Sequence, residues 1–295
     1  MKKFLLAVMS LVLACGIGFA AVGCNNGNTA EDAIVVITRE PGSGTRSAFI
    51  ELTGIEQDDT DRTIATADIA ENTGSLVSLV SRTECAIGYA SFGSVVNDES
   101  IKMISVDGTA PTTDTIKAGD YAIQRPFNIA YKTGSSNDLL LDFVEYICST
   151  EGQAIVAEEN YIPLEETEAY EPTTTTTKRL TVGGSSSVSP VMEKLIEGYK
   201  AANAANNAVI QLQESDSTAG MNGAISGTLD IGMASRAVSD SEKATLTPVT
   251  IATDGIAVIV NPSNPCTNLT LEQICNIYIG QAVNWSDVGV TFAAE

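Results

Sequence analysis

The run Ala33–Ile37 is apolar and largely β-branched, and it delivers the chain into Arg39-Glu40-Pro41-Gly42-Ser43-Gly44-Thr45-Arg46, after which Ser47–Leu52 reads as a helix. A strand, a glycine-punctuated turn and a helix in that order commit this stretch to an α/β unit. The first residues of a helix leave backbone N–H groups unpaired and carry partial positive charge, so such a turn can seat an anion. Arg39 and Arg46 add full charges, and the Ser43 and Thr45 hydroxyls add donors. An ordinary turn with a helix cap is the competing reading of the same residues.

The pattern repeats along the chain. Ala33–Thr38, Ala86–Ser91, Lys102–Val106 and Phe127–Tyr131 read as strands, while Gly74–Ser81, Asp138–Cys148 and Thr150–Glu158 read as helices. Residues 165–179 are first acidic and then threonine-rich, with no apolar period and no core residue, and read as a linker. A second block follows, with strands at Leu180–Val182, Val209–Gln213, Asp230–Ala234 and Val258–Val260. Its helices are predicted at Pro190–Ala202, Met221–Ser226 and Leu271–Ile277, with turns at Gly183–Ser189 and Asn284–Asp287. Strand–helix alternation predicts a largely parallel sheet. Serine- and threonine-bearing loops recur where strands end and helices begin, which is where open α/β sheets bind ligands. Such loops, converging, surround an oxyanion with neutral donors and provide no nucleophile–base pair.

Charge and composition narrow the function further. The net charge is -21 and there is no histidine, which argues against nucleic acid. Any small anion must be caught by local dipoles and a few arginines, against the overall field. Lack of histidine removes the Ser-His triad and most zinc sites, although lysine- or carboxylate-based catalysis stays open. Cys85, Cys148, Cys266 and Cys275 form no CxxC pair, so neither a metal nor a functional cysteine is expected. Residues 1–23 read as a signal peptide, with Lys2-Lys3 ahead of the apolar Phe4–Leu13. Cys24 follows Ala21-Val22-Gly23 in an arrangement that resembles a bacterial lipobox, with Cys15 a weaker rival. Residues 24–32 then form a lipid-anchored tether, and no other segment approaches the ~20 apolar residues of a membrane span.

Several motifs together resemble the substrate-binding lipoprotein of the high-affinity phosphate ABC importer. They are Gly184-Ser185-Ser186-Ser187-Val188-Ser189-Pro190, Ser217-Thr218-Ala219-Gly220, Asp230 to Arg236, Asp254 to Asn261, Ile277-Tyr278 to Gly280, and Asn284-Trp285. The Arg39–Arg46 turn, Ala86-Ile87-Gly88-Tyr89 and Gln124-Arg125-Pro126-Phe127-Asn128 complete the set. Their order differs from the family's, in which the Gly-Ser-Ser-Ser-Val block comes first and Asn-Trp leads directly into the Arg-Glu turn. Residues 180–295 followed by 33–164 would rebuild that order, which implies a circular permutation. A tandem gene pair cut across its middle is the alternative.

The resemblance implies an α/β, two-lobed periplasmic-binding-protein type II-like fold in circularly permuted order. Lobe one would take 125–164 with 180–252, and lobe two 33–124 with 253–295. By the same resemblance, phosphate would be bound by Arg39, Ser43, Gly44, Thr45, Ser186, Ser187, Ser217, Thr218 and Arg236. Some members of the family place at Arg236 an Asp that accepts the phosphate proton, and a further family Asp falls at Pro41. Glu40, Asp216 and Asp254 are the acceptors left to this chain. Asn72-Thr73-Gly74 resembles another family turn at a helix start. The implied partners are inorganic phosphate, ABC permease and ATPase subunits, and the membrane through the lipid alone. No nucleic acid, no cofactor and a monomer are expected, exported and tethered to the outer face of the cell membrane. The rival functions are a phosphatase or phosphotransferase on the same loops, and a surface sensor or adhesin uncoupled from transport. Sulfate or molybdate is the ligand variant.

Overall fold

The computed structural model describes residues 32–292, so the expected signal peptide, Cys15, the Cys24 anchor and most of the tether lie outside the described residues. In chain order the first elements are β1 (Val35–Arg39), α1 (Gly44–Leu52), β2 (Glu56–Gln57), β3 (Thr60–Asp61), β4 (Asp68–Ala70), α2 (Thr73–Arg82), β5 (Ala86–Ser91) and α3 (Phe92–Val95). Next come β6 (Lys102–Met103), β7 (Ser105–Val106), α4 (Thr113–Ala118), β8 (Gln124–Lys132), α5 (Asp138–Cys148) and α6 (Thr150–Glu158). The second half holds β9 (Arg179–Ser185), α7 (Ser189–Ala202), β10 (Val209–Ser215), α8 (Ser217–Ser226), β11 (Ile231–Ala234) and α9 (Asp240–Lys243). It closes with β12 (Leu246–Val260), β13 (Asn268–Leu269), α10 (Leu271–Tyr278) and a 3-10 turn at Trp285–Val288.

Nine strands share one sheet, in the order β10-β9-β11-β8-β12-β5-β1-β4 with β6 added on β12. At each end lies a parallel trio, β10-β9-β11 and β4-β1-β5, with the first strand of each block in its middle. Between the trios run β8 and β12, antiparallel to each other and to the flanking strands β11 and β5. The long β12 pairs with β8 over its first two thirds and with β5 over its last third, so one strand belongs to both halves.

Two main cores result. One gathers apolar side chains from 127–161 and 180–252, and the other from 36–123 and 256–288. Along β12 the allegiance changes between Ala252 and Ile256, where Thr253, Asp254 and Gly255 intervene. A smaller cluster packs on the opposite face of each half, so both trios are covered on two sides, as parallel strands require. The described ends meet. Ala33 bridges Asn284, and the Trp285 N–H donates to the Asp32 carbonyl at 2.8 Å.

Several sequence expectations need correcting. Val258–Val260 is only the last part of β12, because Thr247, Thr250 and Thr253 hide a strand that long pairing with β8 enforces. Gly183–Ser185 belongs to β9 rather than to a turn, held by β10 and β11 on either side. Gly184 sits at φ 135°, and a Cβ on Gly220 would lie 2.7 Å from its Cα, so α8 presses backbone-close onto β9. Lys102–Val106 divides into β6 and β7, which take different partners, β12 and β13. Helices α1 and α8 begin earlier than expected, at Gly44 and Ser217.

The stretch between α6 and β9 carries no helix or strand, yet it contains core contacts, contrary to the sequence reading. Tyr170 packs edge-on against Tyr146 at 5.0 Å between ring centroids and donates to Asp142 at 2.8 Å. The Thr173 amide and hydroxyl also donate to Asp142, at 2.7 and 2.6 Å, and Tyr199 does so at 2.6 Å. One buried carboxylate thus fastens the connection to α5 and α7.

Candidate functional site

Arg39 ends β1, and Tyr89 of the neighbouring β5 fixes it there. The Tyr89 hydroxyl bonds Thr38 Oγ1 at 2.8 Å and accepts from the Arg39 amide at 3.2 Å. Burial pushes that phenol above its ordinary pKa, so it stays neutral. The Arg39 guanidinium is 2% exposed and is used on every side. Nε and Nη2 each donate to Glu40 at 2.8 Å, Nη1 donates to Thr73 Oγ1 at 3.1 Å, and Nη2 also donates to Ser186 Oγ at 3.1 Å.

The partners arrive from helix starts. Ser43 caps α1, its hydroxyl accepting from the Arg46 amide at 3.3 Å, which leaves Gly44 and Thr45 buried in the first turn. Asn72 caps α2 reciprocally with Ser75 and puts Thr73 first in the helix. Asp216 caps α8 and puts Ser217 first, while Ser186 and Ser187 leave β9 just ahead of α7. Each start offers partial positive charge to whatever occupies the space between them.

Across that space the two halves interlock. Thr45 Oγ1 and Ser187 Oγ lie 2.9 Å apart, and Thr73 Oγ1 lies 3.3 Å from Ser186 Oγ and 3.2 Å from Ser187 Oγ. On the other flank the Ser185 hydroxyl donates to Ser235 Oγ at 2.9 Å, and the Ser235 amide donates to Ser217 Oγ at 3.1 Å. A Cβ on Gly44 would stand 2.9 Å from Ser235 Oγ and closer still to Ser217 Oγ, so glycine is what lets α1 abut these serines. The Thr218 amide donates to the Gly42 carbonyl at 3.2 Å. A cavity of about 310 Å³ opens beside the cluster, touching Asn72, Thr73, Gly74, Ser94, Ser186 and Glu214.

Of the sequence-expected site residues, Arg39, Gly44, Thr45, Ser186, Ser187 and Ser217 come together here, buried. Ser43 is buried beside them with its hydroxyl spent on the helix cap. Thr218 contributes its amide to Gly42, and its side chain is exposed. Arg236 is not brought in. Its guanidinium pairs with Glu242 at 2.8 Å and donates to the Ala237 carbonyl, because the α9 capping box places Glu242 beside it. Of the three candidate acceptors, Glu40 is held at the cluster by Arg39, while Asp216 accepts from the Ala219 amide and Asp254 pairs with Arg125. The cluster's acceptors are therefore its own hydroxyls and the lone pairs that Glu40 does not spend on Arg39.

Sequence reasoning gave no role to Ser185, Ser235 or Arg125, and it held Thr73 only as part of a resembling turn. The Asn-Thr-Gly-Ser start of α2 carried a capping signal that points to Thr73. Ser235 and Ser185 meet only because β11 and β9 are neighbours. None of the bonds recorded for the Ser186, Ser187 and Ser217 hydroxyls involves a carboxylate or amine base. Among the described residues no three His, Cys, Asp or Glu side chains converge to hold a metal. Hydroxyls, helix-start amides and one guanidinium can together surround a small tetrahedral oxyanion, and nothing in the set activates a nucleophile.

A family model described as "PBP superfamily domain" matches residues 25–151 and 169–295. The phosphate-binding protein PstS 2 of Streptococcus agalactiae is 42% identical over 297 residues, covering 98% of this chain and 99% of that protein. The phosphate-binding protein PstS 2 of Streptococcus pneumoniae is 38% identical over 281 residues, covering 92% and 94% respectively. A crystal structure of the phosphate-binding protein of a phosphate ABC transporter from Streptococcus pneumoniae superposes with a TM-score of 0.69 at 38% identity, over 87% of this chain and 99% of that one.

Proposed function

Because this chain belongs to the PBP superfamily and, within it, to the phosphate-binding proteins, we propose that it captures one inorganic phosphate between its two lobes and delivers it to an ABC importer. One observation carries the reading. Arg39 and Thr45 of one lobe lie within hydrogen-bond reach of Ser186 and Ser187 of the other, in a buried cluster flanked by helix starts. Closure of the lobes takes the anion out of water, where each donor acts in a low dielectric and counts for more. The seat works against a net charge of -21, so Arg39 is its principal attraction. Binding is the whole task, and a phosphomonoester offered to the protein is expected to be left intact.

Calorimetric titration with phosphate, sulfate and molybdate tests this. Phosphate is expected to bind most tightly, and Arg39→Ala to abolish binding. Equal affinity of the Arg39→Ala variant would remove the residue from the site, and no heat with any of the three anions would remove the function.

The remaining features are part of the same reading. Cys24 carries the lipid that holds a monomer at the outer face of the membrane, and the permease and its ATPase receive the closed form. Among the described residues no helix is long and apolar enough to cross a membrane. The lobes are 33–124 with 253–295, and 125–164 with 180–252. The chain order is a circular permutation, a reading favoured by the contact of Asp32 and Ala33 with Asn284 and Trp285. A cut tandem pair is disfavoured, because a relative matched over 99% of its own length aligns with 98% of this chain.

A further inference from the structure

We propose that Arg125, which lies on β8 opposite the strand shared between the lobes, is a positioning residue for the oxyanion seat, acting through Ser235. The inference rests on the phosphate-binding reading above and names a residue that sets the geometry of that site.

Arg125 in β8 stands opposite Asp254 in β12, in the short polar belt where the two cores change over. Their side chains are 1% and 0% exposed, with Nη2 and Oδ2 3.2 Å apart. Nη1 of the same guanidinium donates to the Ser235 carbonyl at 2.9 Å. Ser235 follows the end of β11, its amide donates to Ser217 Oγ, and its hydroxyl accepts from Ser185. The guanidinium is therefore one residue removed from two hydroxyls of the seat. On the far side Asp254 Oδ1 accepts from the Gly93 amide at the start of α3, within the other lobe.

A buried ion pair at a strand crossing is expensive, and apolar residues of like volume would commonly serve stability as well or better. Here the fork reaches two acceptors at once, Ser235 O and Asp254, while its Nε is buried without a hydrogen-bond partner. Stability alone does not call for that arrangement; holding one carbonyl in place does. Burial lowers the Arg125 pKa, Asp254 opposes the shift, and the Arg39 charge adds to it, so the two guanidiniums feel each other. An anion seated near both relieves that repulsion.

Inorganic phosphate is titrated calorimetrically into the wild-type protein, Asp254→Asn, Arg125→Lys, and the double variant Arg125→Gln/Asp254→Asn, each below its melting temperature. The neutral pair leaves no uncompensated buried charge, which keeps the double variant foldable. Its dissociation constant is expected to rise about tenfold, the effect of losing one ordering hydrogen bond. Asp254→Asn, which keeps the bond to Ser235, is expected to lose far less, and Arg125→Lys to recover part of the double variant's loss. A merely structural ion pair would respond alike to either partner and would show no rescue by lysine. Wild-type affinity in the double variant, or equal losses in Asp254→Asn and the double variant, would overturn the assignment of Arg125 while leaving phosphate binding standing. Absence of phosphate binding by the wild-type protein would overturn both.

Discussion

Replacing Gly44 by alanine separates lobe closure from lobe stability. Gly44 is the first residue of α1, and its φ is not in the left-handed region, so alanine suits the backbone there and slightly favours the helix. The added methyl meets the opposite lobe: it would lie 2.9 Å from Ser235 Oγ, 3.0 Å from Ser217 Cβ and closer still to Ser217 Oγ. Ser217 is fully buried and has nowhere to turn, so the lobes must stand off by about 1 Å to restore ordinary contact distances. At least three contacts between lobes then stretch beyond hydrogen-bond range: Arg39–Ser186 at 3.1 Å, Thr45–Ser187 at 2.9 Å and Thr218–Gly42 at 3.2 Å. At about 1 kcal/mol each the loss is about 3 kcal/mol, or roughly a hundredfold in the dissociation constant for phosphate. Calorimetric titration reads the affinity, and a thermal melt of the ligand-free protein is expected to show no loss of stability. Gly44→Ala binding phosphate within about threefold of wild type would refute the reasoning, because the seat would then tolerate a gap between its halves.

Asp142→Asn is expected to lower stability by about 2 kcal/mol, since five donors converge on a carboxylate that the amide replaces with one acceptor and one donor. Burial alone would raise the Asp142 pKa, but the bonds from Thr173, Tyr199 and Tyr170 outweigh it and hold the carboxyl below its ordinary value. The stabilisation is therefore present above the unfolded value of about 3.9 and disappears as pH falls through the lower native one. Thermal melts below about pH 4 should show a steeper acid loss in the wild type than in Asp142→Asn, and parallel curves would contradict this account. A chain re-ordered as residues 165–292 followed by 32–164, which keeps Tyr170 and Thr173, should fold and bind phosphate, because Asp32 and Ala33 already contact Trp285 and Asn284; a product that fails to fold would count against the permuted reading. Cys24→Ala should release the protein from membranes into the soluble fraction of expressing cells, and unchanged membrane retention would dismiss the lipid anchor.

How much of the site was legible depended on how local its parts are. The Arg39–Thr45 turn and the Ser185–Ser187 and Ser217 loops announce themselves, because a strand, a capped helix start and a serine or threonine follow one another within a few residues. Arg236 entered the candidate set through the resemblance alone, and a capping box a few residues on turns it towards Glu242. Arg125 carries no local sign at all, since its partners Ser235 and Asp254 lie 110 and 129 residues away.

The α/β alternation, the serine- and threonine-bearing strand ends and the anion-seeking character of the Arg39 turn are all written locally, in periodicity, capping and charge within short windows. Long-range packing is what runs β12 unbroken from one lobe into the other, fastens Tyr170 and Thr173 to Asp142, and brings hydroxyls from opposite lobes together at Arg39. Local propensity fixes what a segment can become. Which segments share a sheet or a carboxylate is set by burial and pairing between residues far apart in the chain, and no short window contains both partners.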